Sequence, residues 1–115
     1  MKQLLHIVVD HVLAARVVSV GGEIDLNTAG QLDKVVVAAI NETTVGVVVL
    51  DLTGVTFLSS NGISALLQGK AHGASVGVEL RVVVATGGAA RRSLEITGLT
   101  DLLANYSTLS AALAS

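Results

Sequence analysis

The sequence contains no cysteine, proline or tryptophan, and it has one phenylalanine and one tyrosine among 115 residues. Without cysteine the chain can form no disulfide, no thiolate nucleophile and no cysteine-ligated metal site. The scarcity of aromatic side chains argues against a surface on which nucleic-acid bases stack. The seven basic residues are scattered apart from Arg91-Arg92, so no basic patch for a phosphate backbone is visible. We therefore expect neither cysteine chemistry nor nucleic-acid binding.

Long apolar runs are missing as well, although 51% of the residues are hydrophobic. The runs end after about eight residues, well short of the roughly 20 that cross a bilayer as a helix. The N-terminus leads directly into a strand pattern closed by Asp10, which leaves no room for the apolar segment of a signal peptide. A chain of this length closes one hydrophobic core. We expect a single cytoplasmic domain over residues 1–115, without direct membrane insertion.

The apolar pattern predicts alternating strands and helices. Strands are predicted over residues 4–9, 14–20, 46–51 and 80–85, with a possible short strand or extended segment at 102–106. Asp10-His11 reads as the connection of an initial hairpin, and Gly21-Gly22 as the end of its second strand. Helices are predicted over residues 28–41, from about 62 to Gly73, over 89–97 with Gly98 after the last turn, and after a Ser107 cap.

The order of these elements is strand, strand, helix, strand, helix, strand, helix, an optional strand, and helix. Strand–helix–strand units connect parallel strands, whereas the initial hairpin is antiparallel. The sequence therefore predicts an α/β fold with a mixed sheet of four or five strands and about four helices packed on it.

The most informative segment is the polar turn Ser59-Ser60-Asn61-Gly62. It lies between a buried strand and a helix whose first apolar residues are Ile63 and Leu66. Serine and asparagine are suited to capping a helix, and that is the simplest interpretation. Unpaired N–H groups and the helix dipole would also stabilise a phosphoryl group there. The residues alone leave both interpretations open.

Other polar residues do not form a recognisable chemical site. The three histidines fall on different predicted elements without metal-ligand spacing: His6, His11 and His72. Asp25 and Asp51 have no nucleophile placed between them, and Asp51 is expected to accept N–H groups in a turn. Residues 86–89 (Thr86-Gly87-Gly88-Ala89) lack a complete phosphate-binding motif, which favours a tight strand-to-helix turn. We expect no enzyme, metal or cofactor.

Five characteristic segments follow one another along nearly the whole chain. They are Gly22-Glu23-Ile24-Asp25 with Asn27-Thr28-Ala29, the strand at 47–51, residues 54–58, the Ser60-x-Gly62 turn, and residues 91–99. In this order they resemble the STAS-domain anti-sigma factor antagonists of bacteria. The resemblance implies a small α/β protein that is not an enzyme. It further implies binding to an anti-sigma factor with a histidine-kinase-like ATPase fold, which releases the sigma factor.

The resemblance also assigns the site. The family's usual Asp-Ser-Ser/Thr-Gly turn falls on residues 59–62, so Ser59 replaces the aspartate and Asn61 replaces the phosphorylated hydroxyl. Because asparagine has no hydroxyl, we expect binding to be retained and phospho-switching at the usual position to be lost. Ser60 and Ser59 are the alternative phosphate acceptors. The predicted partner contacts are Asp25, Ser59, Ser60, Asn61, Gly62, Ile63 and Leu66.

Two other functions are consistent with the same resemblance. Asn61 also suits a STAS-like subunit of a lipid-transport ABC complex, whose turn need not be phosphorylated. A nucleotide-binding STAS domain would use residues 86–89 as its phosphate turn. As an anti-sigma factor antagonist, the protein is expected to be a monomer or at most a weak homodimer.

Overall fold

The computed structural model describes residues 5–43 and 46–114, and its centre is a four-stranded sheet in the order β1-β2-β3-β4. The strands are β1 (Leu5–Val12), β2 (Ala15–Ile24), β3 (Gly46–Leu58) and β4 (Val78–Val83). β1 is antiparallel to β2, whereas β2, β3 and β4 are mutually parallel. The predicted α/β class with a mixed sheet is confirmed, with the lower of the two predicted strand numbers.

Five helices are described, two of them short. They are α1 (Ala29–Asn41), α2 (Ser60–Ser75), α3 (Ala89–Thr97), α4 (Thr100–Leu103) and α5 (Leu109–Ala114). The larger hydrophobic cluster joins one face of the sheet to α1, α2, α3 and α4. A smaller cluster on the opposite face contains Val17, Val49 and Val83 and is covered by Ala112 of α5. The sheet is therefore the middle layer, with most helices on one side.

The two central strands are longer than predicted at their carboxyl ends. β2 does not end at Gly21-Gly22 but continues to Ile24, with register shifts against β3 on either side of these glycines. A Cβ on Gly54 would lie 3.3 Å from the Gly21 Cα, so the absence of side chains lets the two backbones approach. The predicted strand end at Gly21-Gly22 was therefore wrong, because these glycines allow a close approach instead of a turn.

The initial hairpin turns later than predicted. Asp10 and His11 pair with Val17 and Arg16 inside the ladder, and the turn consists of Leu13 and Ala14. Leu13 has a φ of 56°, in the left-handed region that leucine rarely adopts. The residue types of the sequence predicted the turn at Asp10-His11, but the pairing of β1 with β2 places the turn at Leu13 and Ala14.

The helical predictions hold best for α3. Its bounds, Ala89–Thr97, agree with the prediction, and Gly98 follows it with a φ of 73°. Near the C-terminus, the possible strand is a short helix, α4, followed by a single bridge between Tyr106 and Val83. The hydroxyl oxygen of Thr108, not of Ser107, accepts the Ala111 N–H of α5 (3.1 Å).

Helix α2 extends two residues beyond the predicted end at Gly73. A Cβ at Gly73 would lie 2.6 Å from the Val78 carbonyl oxygen, so this glycine allows close packing instead of ending the helix. Ala71 and Ala74 are exposed, whereas Gly69 and Gly73 are buried. In its second half, α2 therefore packs against its neighbours through glycines.

Candidate partner-binding site

The carboxyl ends of β2 and β3 bring two polar turns together. Ile24 is opposite Leu58 in the parallel ladder, and the Ser59 N–H donates a hydrogen bond to the Ile24 carbonyl oxygen (2.8 Å). Residues 25–28 lead into α1, and residues 59–62 lead into α2. The structure therefore brings Asp25 beside the Ser59 turn, as the resemblance implied.

The first turn is closed by its own side chains. The Asp25 carboxylate accepts the backbone N–H groups of Asn27 (2.9 Å) and Thr28 (3.1 Å). The Thr28 hydroxyl donates to the Glu23 carbonyl oxygen (2.8 Å) and accepts the Asp25 N–H (2.9 Å). Thr28 is buried. These bonds hold the backbone of the turn in one conformation.

The second turn is held by one side-chain bond. Ser59 precedes α2 in an extended conformation, and its hydroxyl oxygen accepts the Gly62 N–H (3.3 Å). Ser60 and Asn61 are exposed on the first helical turn, which carries no acidic side chain. The positive end of the α2 dipole is therefore not neutralised from within this turn. The predicted cap is present, and two polar side chains remain accessible.

Three of the predicted contact residues point into the protein. Ile63 is 7% exposed and Leu66 is 1% exposed, and both belong to the larger hydrophobic cluster. Gly62 is also buried, and a Cβ there would lie 2.5 Å from the Ile24 Cγ2. These residues attach α2 to the sheet, and their direct contact with a partner stays a prediction.

Two exposed apolar side chains flank the turns and were missed from the sequence. Leu26 lies in the first turn and is 74% exposed, and Phe57 lies near the end of β3 and is 49% exposed. In the sequence, the usable signal for Phe57 was that it is the only phenylalanine. Exposed large apolar groups beside exposed polar ones are typical of protein contact surfaces.

We call this region the carboxyl-edge surface and define it by its accessible and partly accessible residues. They are Asp25, Leu26, Phe57, Ser59, Ser60 and Asn61. The polar groups of this surface offer directional hydrogen bonds, and Leu26 and Phe57 offer apolar area.

The other candidate sites remain separate. Among residues 5–43 and 46–114, no cluster of three or more His, Asp or Glu side chains is placed to hold a metal. At residues 86–89, the Gly88 N–H is bonded to the Ala85 carbonyl oxygen (3.0 Å), as in a tight turn. A polar groove of about 420 Å³ lies elsewhere, lined in part by Lys70, Arg91 and Asp101. Asp51 lies inside β3 instead of a turn, and its carboxylate accepts the Thr53 N–H (3.0 Å).

None of the helices described in residues 5–43 and 46–114 is both long enough and apolar enough to cross a membrane.

Residues 6–112 match the model of the STAS domain family. The chain belongs to the STAS domain family. Its sequence is 39% identical over 100 residues to the anti-sigma-F factor antagonist RsfB of Mycobacterium tuberculosis, covering 84% of this chain and 77% of RsfB. The family resemblance predicted from the motifs is confirmed.

Solved structures of anti-sigma factor antagonists agree with the fold. An anti-sigma factor antagonist from Mycobacterium paratuberculosis superposes with a TM-score of 0.80 at 33% identity, covering 96% of this chain and 92% of that one. Unphosphorylated SpoIIAA, an anti-sigma factor antagonist, superposes with a TM-score of 0.74 over 94% of this chain and 93% of its own. At 17% identity, the SpoIIAA match supports the fold alone.

Proposed function

We propose that this STAS domain is an anti-sigma factor antagonist that binds an anti-sigma factor of histidine-kinase-like ATPase fold and releases its sigma factor. The role is supported by RsfB and the mycobacterial structure, both of which are anti-sigma factor antagonists. The observation that carries the proposal is the exposed pair Ser60 and Asn61 at the start of α2, flanked by Leu26 and Phe57. The protein acts by association and not by catalysis.

The carboxyl-edge surface provides the contact. Leu26 and Phe57 supply apolar area that a partner can cover, and burial of large apolar side chains provides most of the energy of such contacts. Ser60 and Asn61 supply hydrogen-bonding groups that fix the orientation. Gly62, Ile63 and Leu66 contribute indirectly, because their burial fixes the start of α2 on the sheet.

Asn61 keeps the surface competent for binding. A phosphoryl group on a serine or threonine at this position would add nearly two negative charges to the centre of the contact. Asn61 has the size and polarity of a neutral turn residue but no hydroxyl to modify. We infer that the protein lacks phospho-switching at this position and binds its partner constitutively.

The neighbouring serines are poor substitutes for the missing hydroxyl. The Ser59 hydroxyl is partly buried and caps the Gly62 N–H. Ser60 is exposed, but it lies one residue earlier on the helix and is rotated by about 100° around its axis. A kinase site shaped for the usual position would not reach it in the same geometry.

Affinity capture from the native lysate, followed by mass spectrometry, tests the partner class. We expect enrichment of an anti-sigma factor with a histidine-kinase-like ATPase fold. Enrichment of transporter ATPase or permease subunits instead would replace this proposal with the lipid-transport function.

The captured anti-sigma factor then allows a test of Asn61 with purified proteins. With ATP, wild-type protein should remain unmodified, whereas Asn61→Ser should gain phosphate at residue 61. Asn61→Asp should weaken binding by about tenfold or more, because it adds a charge at the centre of the contact. The matched control is Gln68→Glu, which makes the same charge change at another exposed position of α2. Stoichiometric phosphate on Ser59 or Ser60 of wild-type protein would refute the loss of phospho-switching.

A further inference from the structure

Strand β1 forms one edge of the sheet and is long, regular and free of lysine and proline. It pairs with β2 over all eight residues without a register shift, from Leu5 opposite Gly22 to Val12 opposite Ala15. Natural edge strands are commonly short, bulged, or interrupted by lysine or proline, which prevents pairing with another chain. β1 contains none of these features, and Val8 and Val9 are 42% and 41% exposed.

The sequence of β1 is complementary to itself in one antiparallel register. His6 and Asp10 lie two residues before and two residues after Val8, on the same side of the strand. A two-fold axis through Val8 places His6 of each copy opposite Asp10 of the other. An imidazole N–H can donate to a carboxylate whether the ring is neutral or protonated. The pairing is made twice, once on each side of the axis.

Other registers lack this complementarity. In an antiparallel pair, two opposed residues point their backbone N–H and C=O groups either both toward the neighbouring strand or both away from it. The register can therefore shift only by two residues at a time. A register centred on Ile7 places His6 opposite Val8, and one centred on Val9 places Asp10 opposite Val8, so neither brings His6 opposite Asp10. Within one chain, His6 and Asp10 are about 13 Å apart along the strand and do not pair with each other.

We propose that two copies of this chain associate through the outer edges of β1 to form a continuous eight-stranded sheet. Val8 packs against Val8 of the second copy on one face, and Ile7 packs against its Val9 on the other. A groove of about 410 Å³ between β1 and α1, lined in part by Val9, Val35 and Ala38, adjoins this seam. Pairing thus covers exposed apolar side chains together with the outer backbone edge of β1 around Val8.

The proposed dimer leaves both carboxyl-edge surfaces open. Val8 is opposite Ser19 in β2, five residues before the strand ends at Ile24. Because the axis reverses the strand direction, the two surfaces lie at opposite ends of the extended sheet. One dimer can therefore hold two partner molecules, and the proposal does not depend on the identity of the partner.

Sedimentation equilibrium of the full chain tests the association, from about 10 µM to about 1 mM, where small interfaces associate weakly. We expect a reversible monomer–dimer equilibrium in this range. Val8→Lys should weaken it by at least about tenfold, because two lysines then face each other across the axis. The matched control is Val76→Lys, at a 51% exposed valine after α2, which should dimerise like wild type. A wild-type protein that stays monomeric throughout, or a dimer insensitive to Val8→Lys, would overturn the proposal.

Charge reversal tests the register. Asp10→Lys and His6→Asp should each weaken the dimer by about three- to tenfold, because each places like or unpaired charges opposite one another. The double variant His6→Asp with Asp10→Lys should restore wild-type dimerisation. Circular dichroism and thermal unfolding check that each variant is folded. Failure of the folded double variant to recover would exclude this register and overturn the proposal.

Discussion

The two turns at the carboxyl edge of the sheet occupy equivalent places but use their polar side chains differently. Residues 25–28 connect β2 to α1, and residues 59–62 connect β3 to α2. In the first turn, the Asp25 carboxylate and the Thr28 hydroxyl are both bonded to the backbone. In the second turn only Ser59 is bonded in this way, and Ser60 and Asn61 face solvent.

This difference separates two uses of similar polar residues. Side chains that satisfy the local backbone fix the shape of a turn and are unavailable to a partner. Side chains that point outward contribute little to folding and are available for recognition. The start of the first turn also supports the second turn. The carbonyl oxygen of Ile24, the residue just before Asp25, accepts the Ser59 N–H (2.8 Å).

The largest effect on stability is expected from Thr28→Val. Valine has the shape of threonine but leaves the partly buried Glu23 carbonyl oxygen and the Asp25 N–H without the hydroxyl that bonds both. We expect a loss of about 1–3 kcal/mol in the free energy of unfolding, measured by urea denaturation. The control is Thr56→Val, at an exposed position on β3. Equal losses in both variants would show that the Thr28 network has no special role.

A smaller effect is expected from Gly62→Ala, which tests how the second turn is held. The added Cβ would lie 2.5 Å from the Ile24 Cγ2 and 2.6 Å from the Leu58 Cδ1. The crowding should outweigh the gain in helix propensity and leave a net loss of about 1–2 kcal/mol. The matched control is Gly30→Ala in α1, where a Cβ meets no atom within 4 Å. That variant should gain stability in the same denaturation experiment, and a gain in both would contradict the packing described here.

The smallest effect is expected from Ser59→Ala. It removes the cap on the Gly62 N–H, and because that bond is long (3.3 Å), the loss should be about 0.5–1 kcal/mol. Ser60→Ala, one residue later and exposed, should change stability by less than about 0.5 kcal/mol. Thermal unfolding of the two variants side by side measures the difference. A larger loss for Ser60→Ala would mean that the outward side chain of this turn supports the fold.

The sequence by itself was enough to predict several helix ends, the buried central strand and the family of this protein. Gly98 ends α3 because glycine adopts the left-handed conformation without strain, and this was predictable from composition. The Ser59 cap and the buried strand before it were also predictable, because both depend on the residue types of a short segment. The ordered motifs also indicated the STAS family and drew attention to Asn61.

The tertiary structure alone decided which side chains reach solvent and how far strands continue. Ile63 and Leu66 were predicted as partner contacts, and α2 packs them against the sheet, whereas Leu26 and Phe57 remain exposed. Gly21 extends β2 because Gly54 of the neighbouring strand approaches it. Periodicity and capping are properties of neighbouring residues along the chain. Close approach and burial depend on segments distant in sequence, so they are fixed only when the sheet and helices pack together.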